Sequence, residues 1–166
     1  MNKHQVFLLL GSNMGNAKAN LKHAVYAIQQ LPTVLKACSS IYQTKAWGNT
    51  NQADFLNAAI LIETELNPFQ LLDKLLAIET EMGRTRNQKW EERIIDIDIL
   101  FFDDLTINTP DLTVPHPHIP NRRFTLVPML QIAPNFMHPV LNKNIQLLLN
   151  NCSDDLSVTE IEAKWN

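Results

Sequence analysis

Two aspartates lie two residues apart in the run RIIDIDILFF, residues 93–102, which is otherwise rich in β-branched and aromatic side chains. That composition predicts a strand, and aspartate is uncommon in strands. Because side chains alternate between the two faces, Asp96 and Asp98 share one face, and Ile95, Ile97, Ile99 and Phe101 take the other. Neighbouring carboxylates repel one another, so we expect a cation between them, and a divalent metal fits best.

All five arginines lie in two short clusters, whereas the nine lysines are spread along the chain. Arg84, Arg86 and Arg93 form the first cluster, and Arg122 and Arg123 form the second. Arginine presents a planar fork of donors that suits phosphate oxygens. Arginines clustered beside paired carboxylates therefore indicate a polyphosphate with bound metal, and a solvated charged surface is the alternative.

The apolar residues that follow the aspartates on the same face, Leu100 and Phe102, predict a strand that is covered on both faces except near its start. We therefore expect the carboxylates at the open end of a central strand. The alternative is a solvent-facing pair on an amphipathic strand.

The composition limits the classes of protein to consider. A chain of 166 residues is long enough for one domain, residues 1–166, in which we expect residues 153–166 to be a peripheral tail with Trp165 packed on the body. A net charge of -3 gives no reason to expect binding of nucleic acid or an anionic membrane. Cys38 and Cys152 have no metal-site spacing, so we expect reduced thiols and a cytoplasmic protein. We also expect the protein to be a soluble monomer.

Residue periodicity predicts the elements that must position the aspartates. Strand patterns cover residues 5–10, 34–42, 55–66 and 93–102, and helical patterns cover 17–31 and 68–82. Asn16 and Asn67 are in place as helix caps, and Gly83 ends the second helix. The order β-α-β-β-α-β predicts an α+β, ferredoxin-like fold with an antiparallel sheet, helices on one face, and the first and last strands side by side in its centre.

Two segments give weaker signals. Residues 43–54, with a lone Trp47, are too long for a hairpin and are either disordered or a binding lid. Seven of the nine prolines lie within residues 110–139, which predicts an irregular C-terminal third with short helices at 121–130 and 145–150. His116 and His118 in that third are candidates for a metal ligand, a nucleotide hydrogen-bond donor or a structural role.

The chain resembles the 6-hydroxymethyl-7,8-dihydropterin pyrophosphokinases over roughly residues 6 to 140. The segments that carry the resemblance are Gly11-Ser12-Asn13, Phe55-Leu56-Asn57-Ala58-Ala59, Ile78-Glu79, Gly83-Arg84-Thr85-Arg86, Trp90, residues 93–99, and Thr113-Val114-Pro115-His116 through Asn121-Arg122. The resemblance implies transfer of pyrophosphate from ATP to a pterin alcohol in folate biosynthesis, with ATP as co-substrate and two Mg²⁺ ions.

The resemblance also implies roles for residues at matching positions. Asp96 and Asp98 would hold the metal ions and act in catalysis with Arg84 and Arg93, which steady the transferring group. The residues implied around ATP are Glu79, Arg84, Arg86, Lys89, Trp90, Arg93, Ile99, Thr113, His116 and Arg122. The residues implied around the pterin are Thr44, Ala46, Trp47, Phe55, Asn57, Trp90, Asp96 and Phe124, with Phe124 and either Trp90 or Trp47 stacking on its rings.

Several positions depart from the family pattern. Glu91 follows the loop tryptophan where a small residue is usual, Lys89 replaces a frequent arginine, and Phe55 replaces a common tyrosine. These changes concern affinity and loop geometry, because the aspartate pair is intact. Two rival functions share the predicted fold: a palm-like nucleotidyltransferase or cyclase that uses paired aspartates, and a non-catalytic ligand-binding module.

Overall fold

The structure is a computed structural model that describes residues 2–45, 51–83 and 93–166. The strands in these ranges are β1 (His4–Ser12), β2 (Thr33–Cys38), β3 (Ile41–Thr44), β4 (Phe55–Thr64), β5 (Asp96–Phe102), β6 (Ile107–Asn108), β7 (Thr113–Val114) and β8 (Val158–Glu162). The α-helices are α1 (Ala17–Gln29), α2 (Pro68–Glu81), α3 (Arg123–Ile132) and α4 (Ile145–Asn150), and a 3-10 turn spans Ile119–Asn121. Among these helices, none has the length and apolar character needed to cross a bilayer.

The main sheet has the strand order β5-β1-β4-β3-β8, with β2 also paired to β4, and its strand pairs are antiparallel. The predicted α+β class, with an antiparallel sheet and packed helices, is confirmed. β1 and β5 are neighbours as expected, but β5 ends the strand order, so the prediction of a central strand for the aspartates is wrong. At this edge a side chain of α2 supplies a hydrogen-bond partner for the β5 backbone, because Ile97 N donates to Glu79 Oε1.

The strand predicted over residues 34–42 is two strands, β2 and β3, separated at Ser39 and Ser40. The Ser39 hydroxyl accepts a hydrogen bond from Ala59 N at 2.9 Å, and Ser40 N donates to Oε1 of Gln131 at 2.7 Å. Serine side chains form such local bonds in competition with a regular ladder. The interruption therefore lies where serine side chains and Gln131 supply partners to the backbone.

Helices cover both faces of the sheet, so the prediction of helices on one face is wrong. Leu8 and Leu10 of β1 pack with α1 and α2 in the first core, whereas Phe7 and Leu9 pack with α3 and α4 in the second core. α3 and α4 come from the proline-rich C-terminal third, where two short helices were predicted but were not placed on the sheet. β1 is consequently buried on both faces, as its continuous apolar run requires.

A bulge in β5 changes which faces its last residues take. Phe7 pairs with Phe101 and the adjacent Leu8 pairs with Ile99, so Leu100 has no direct partner in the ladder with β1. One extra residue reverses the alternation beyond it. Phe101 therefore packs in the second core and Phe102 in the first, the opposite of the sequence prediction for both.

The two long helices begin where the sequence predicts. Asn16 Oδ1 accepts a hydrogen bond from Ala19 N at 3.0 Å, and Asn67 forms a capping box with Gln70 ahead of α2. Gly83 follows α2 with a φ of +97°, the left-handed conformation that glycine adopts at low cost. These local signals explain why both helices could be located from the sequence.

The C-terminal segment is less peripheral than predicted. β8 pairs with β3 in the main sheet, and Trp165 is buried, with Nε1 donating to Ser39 O at 2.8 Å. The expectation that Trp165 packs on the body is confirmed. The helix predicted over 121–130 runs two residues later, with Pro128 buried inside it, and α4 matches its predicted bounds.

Candidate active site

A row of directly opposed residues crosses four strands near one end of the sheet. Asp96 of β5 faces Gly11 of β1, Gly11 faces Asn57 of β4, and Asn57 faces Tyr42 of β3. Opposed residues of antiparallel strands lie on the same face, so Asp96 and Asn57 project to one side with only a glycine between them. The last residues of β1 and β3 and the first residues of β4 and β5 lie at this end of the sheet.

The two aspartates share a face, as their spacing predicts, and both are partly exposed. Asp98 faces Leu9, a residue of the second core, so this face is the one that α3 and α4 cover further along. Asp96 Oδ2 accepts a hydrogen bond from Arg93 Nη1 at 2.8 Å, and Asp98 Oδ2 lies 4.0 Å from His116 Nε2. Cationic and polar groups thus gather on the carboxylates at the uncovered start of β5.

The first loop holds the start of this strand in place. Asn13 N donates to Arg93 O at 3.1 Å, and Arg93 N donates to Asn13 Oδ1 at 2.7 Å. The Asn13 side chain is buried despite its polarity. The sequence predicted no role in the site for Asn13. Its position directly after β1, in the segment Gly11-Ser12-Asn13, is the only feature of the sequence that points to it.

Glu79 lies inside the protein rather than on its surface. Glu79 is 2% exposed, and its Oε1 accepts a hydrogen bond from Ile97 N at 2.7 Å. Ile97 is the residue between Asp96 and Asp98, so the Glu79 carboxylate holds the backbone of the aspartate pair. The sequence placed Glu79 in the site but gave no sign of this contact, since the helix and strand meet only in the folded chain.

His116 is brought to the aspartates by its backbone, because His116 N donates to Leu100 O at 2.9 Å. Burial, reinforced by the nearby Arg122 charge, lowers the pKa of His116 to about 4. The ring is therefore neutral at pH 7. Its Nδ1 accepts from His118 N at 3.2 Å, so the neutral ring carries its proton on Nε2, the nitrogen nearest Asp98.

Arg122 and Phe124 stand together at the start of α3, with the guanidinium carbon 5.6 Å from the centre of the ring. Burial lowers the pKa of Arg122, and the charges of Asp98 and Asp96 oppose that shift. Arg122 remains a cation facing the carboxylate pair. Phe124 is partly buried against the second core, which leaves part of its ring available to a ligand.

The polar residues predicted for the pterin form a small buried group at the other end of the row. Asn57 Nδ2 donates to Thr44 Oγ1 at 3.0 Å, and both residues are less than 5% exposed. Phe55 faces Thr44 across the strand pair. A Cβ atom at Gly11 would lie 2.9 Å from Asn57 Oδ1, so this close approach requires glycine.

The remaining predicted residues divide into two sets. Thr113 is half-buried in the β6–β7 hairpin, and the Ile99 side chain is buried in the first core. The predicted residues that lie outside the described ranges are Ala46, Trp47, Arg84, Arg86, Lys89 and Trp90. The rest, from Thr44 to Phe124, converge on the open end of the sheet.

The donor set at this end fits a hard divalent cation. Asp96 and Asp98 supply carboxylate oxygens on one face, and Mg²⁺ is usually held by one or two carboxylates together with phosphate oxygens and water. Over residues 2–45, 51–83 and 93–166, no group of three or more His, Cys, Asp or Glu side chains gathers as a metal site. The pair is thus suited to a metal that arrives with a phosphate ligand.

Comparison with known proteins assigns the family. Residues 7–134, more than half of the chain, match the sequence model of 7,8-dihydro-6-hydroxymethylpterin-pyrophosphokinase (HPPK). The chain belongs to the HPPK family. The match includes every described residue of the row from Asp96 to Tyr42, and also His116, Arg122 and Phe124.

Curated relatives extend over most of the chain. The 2-amino-4-hydroxy-6-hydroxymethyldihydropteridine pyrophosphokinase of Aquifex aeolicus is 40% identical over 141 residues, covering 85% of this chain and 88% of that protein. The enzyme of the same name from Haemophilus influenzae is 42% identical, covering 80% and 84%. That of Bacillus subtilis is 44% identical, covering 76% and 77%.

Solved structures of HPPK proteins share the fold. The crystal structure of Plasmodium falciparum HPPK-DHPS with pterin and p-hydroxybenzoate superposes with a TM-score of 0.73 at 19% identity. The alignment covers 90% of this chain and 43% of the Plasmodium chain, so this chain spans less than half the length of that protein.

Proposed function

We propose that this HPPK family member transfers pyrophosphate from ATP to the hydroxymethyl group of 6-hydroxymethyl-7,8-dihydropterin, releasing AMP, as a step of folate biosynthesis. The family match and the curated relatives near 40% identity support this reaction. The observation that carries it to this site is the row from Asp96 to Asn57. The row brings Asp96, which we assign to metal and phosphate, and the buried Asn57 amide together on one face.

Asp96 and Asp98 would hold two Mg²⁺ ions, which supply neutralisation of the phosphate charge and alignment of the two substrates. The protein's part is to keep the two carboxylates at a fixed spacing. The strand backbone does this, and Glu79 and Asn13 hold that strand from α2 and from the first loop.

Arg93 is placed to act on the transferring group. Its backbone is fixed by Asn13, while its guanidinium rests on Asp96 at 2.8 Å. A bound polyphosphate offers the guanidinium stronger, bidentate partners beside the same carboxylate. We assign Arg84 to the same task.

ATP is assigned to the groups that surround the carboxylate pair. They are Glu79, Arg84, Arg86, Lys89, Trp90, Arg93, Ile99, Thr113, His116 and Arg122. Arg122 contributes a cation that faces Asp96 and Asp98, and the neutral His116 contributes a hydrogen-bond donor at Nε2. Glu79 acts through the backbone of Ile97, since its carboxylate is already bonded there.

The pterin is assigned to the end of the row at Asn57. The amide of Asn57 and the hydroxyl of Thr44 offer donors and acceptors that suit the polar edge of a pterin. Phe124 would stack on one face of the rings, with Trp90 or Trp47 on the other. Ala46, Phe55 and Asp96 complete the assigned set.

We also propose that residues 1–166 form one catalytic domain that works as a cytoplasmic monomer without nucleic acid or membrane partners. One sheet contributes to both cores, which supports a single domain. The net charge of -3 gives no reason to expect nucleic acid or anionic membrane partners, and the two free cysteines favour a reducing compartment.

One assay tests the reaction. The protein is incubated with ATP, Mg²⁺ and reduced 6-hydroxymethylpterin, and the nucleotide and pterin products are separated. We expect AMP and pterin pyrophosphate in equal amounts, formed only when the pterin is present, and none from the Asp96→Asn, Asp98→Asn double variant. ATP turnover that ignores the pterin, or a cyclic nucleotide product, would reject the proposal in favour of a palm-like enzyme.

A further inference from the structure

The end of α3 that carries Arg122 and Phe124 is capped by a distant residue. The Arg122 side chain makes no capping hydrogen bond, and the first turn contains no acidic residue. Asp154, 31 residues further along from Arg123, accepts a hydrogen bond from Arg123 N through Oδ2 at 3.0 Å. The first N–H groups of a helix have no partner inside it, so this carboxylate satisfies one of them and complements the helix dipole.

Asp154 is itself held in position. Its Oδ1 accepts from Leu156 N at 3.1 Å, which fixes the orientation of the carboxylate. Beyond Leu156 the chain enters β8, which pairs with β3, and Trp165 is buried with Nε1 bonded to Ser39 O. The cap is therefore anchored to the sheet rather than to a loose terminus.

The anchoring strand also reaches the strand that carries the pterin residues. Val158 faces Thr44, and Glu160 faces Tyr42, the last residue of the row from Asp96. Glu160 Oε1 accepts a hydrogen bond from the Ser40 hydroxyl at 2.9 Å. The C-terminal segment thus contacts the strand bearing Thr44 and the helix end bearing Phe124, which are assigned to the edge and the face of the pterin.

We propose that Asp154 is a positioning residue of the active site: it fixes the start of α3, and with it Phe124 and Arg122, relative to the strand that carries Thr44. The proposal rests on the function proposed above and adds a residue outside the region that matches the family, residues 7–134. Asp154 touches no substrate in this role. Its effect passes through the Arg123 amide.

The test compares three variants for binding of the pterin, followed by its fluorescence, in the presence of Mg²⁺ and a non-hydrolysable ATP analogue. Asp154→Ala is expected to weaken pterin binding by up to about fivefold, the factor that corresponds to the whole stabilising free energy of a typical helix cap at 25 °C. Asp154→Asn keeps an oxygen for the Arg123 amide and should restore binding. Asp155→Ala, the matched control, removes an exposed carboxylate one residue away and should leave binding unchanged.

Affinity for the ATP analogue should change less than affinity for the pterin, because Arg122 lies at the start of α3 but Asp96, Asp98 and Arg93 lie on other elements. In steady-state assays the KM for the pterin should rise while kcat stays near the wild-type value. Urea unfolding of each variant separates this role from a purely structural one.

A lower unfolding free energy of Asp154→Ala with unchanged pterin affinity would overturn the proposal, as would an Asp154→Asn variant as weak as Asp154→Ala. The measurement of pterin binding does not require the enzyme to turn over. If the wild-type protein released no AMP in response to the pterin, the proposed reaction would fail while the comparison of variants still decided the role of Asp154.

Discussion

Arg93 joins the first loop to the carboxylate pair through separate parts of one residue, its backbone to Asn13 and its guanidinium to Asp96. Arg93→Ala keeps the backbone bonds and removes only the guanidinium. We expect kcat to fall by about 10³ or more, by analogy with arginines that stabilise a transferring phosphoryl group. The Kd for ATP, measured by calorimetry, should change far less, since several other cations are assigned to the nucleotide.

The matched control is Arg123→Ala, which removes a guanidinium that has no assigned role. It should leave kcat near the wild-type value. Equal losses of turnover and ATP affinity in Arg93→Ala would contradict a role in the transfer step.

Glu79 is a buried carboxylate that supports the strand of the aspartate pair through a backbone amide. Glu79→Ala would leave the Ile97 amide without its acceptor at the edge of β5, at a cost of about 1–3 kcal/mol in unfolding free energy. Glu79→Gln keeps an oxygen at that position and should cost less. Urea unfolding measures both, with Glu81→Ala, an exposed residue of the same helix, as the control.

Glu79→Ala should also lower kcat more than Glu79→Gln does, because displacement of Ile97 moves the aspartates on either side of it. An alanine variant as stable and as active as the wild type would show that the Glu79 contact does not position the pair.

At the scale of strands, the close approach of β1 and β4 depends on Gly11. A Cβ atom there would lie 2.9 Å from Asn57 Oδ1 and would push that side chain away from Thr44, its partner at 3.0 Å. We expect Gly11→Ala to raise the KM for the pterin about tenfold, the effect of losing roughly 1.4 kcal/mol of binding free energy. Steady-state kinetics with varied pterin measures this change.

Gly15→Ala provides the contrast. Its added Cβ meets no atom within 4 Å, but its φ of +63° disfavours alanine. It should lower the unfolding free energy by about 1 kcal/mol and leave the KM for the pterin unchanged. The same kinetic defect in both glycine variants would show that strain, rather than contact with Asn57, is the cause.

The elements that could be predicted from the sequence are those whose signals are local. α1 and α2 carry their caps and apolar spacing within their own residues, and the two aspartates of β5 share a face because of their spacing alone. The break at Ser39, the bulge at Leu100 and the pairing of β8 arise from contacts between distant segments. Periodicity within one segment could not reveal them.

The same division holds for the candidate site. The residue types at Asp96, Asp98 and Arg93 indicated metal and phosphate directly. The contacts of Glu79 with Ile97 and of Asn13 with Arg93 join residues 18 and 80 positions apart, and only the folded sheet brings them together.

At the scale of the whole molecule, two cores on opposite faces of one sheet leave the end with the aspartates open. α1 and α2 close the first face, and α3 and α4 close the second. The family match ends at residue 134, within the part that closes the second face. The stability of that face therefore depends on residues from the C-terminal third, and His138 is one of them.

His138 gives that face a pH dependence. Its ring packs edge-on against Phe101, and its Nδ1 accepts from Val140 N and Leu141 N. Burial lowers the pKa of His138 from its ordinary value of 6.5. As the pH falls below 6.5, His138 is protonated in the unfolded chain but stays neutral in the folded protein. The free energy of unfolding therefore falls by at most about 1.4 kcal/mol per pH unit.

Urea unfolding at pH 8 and pH 5 tests this account in the ligand-free protein. His138→Asn keeps an acceptor near the position of Nδ1 but cannot titrate, so it should lose less stability between the two pH values than the wild type does. His23→Asn, at an exposed position on α1, should show the wild-type difference. If His138→Asn loses as much stability as the wild type, the acid sensitivity of the second face comes from other groups.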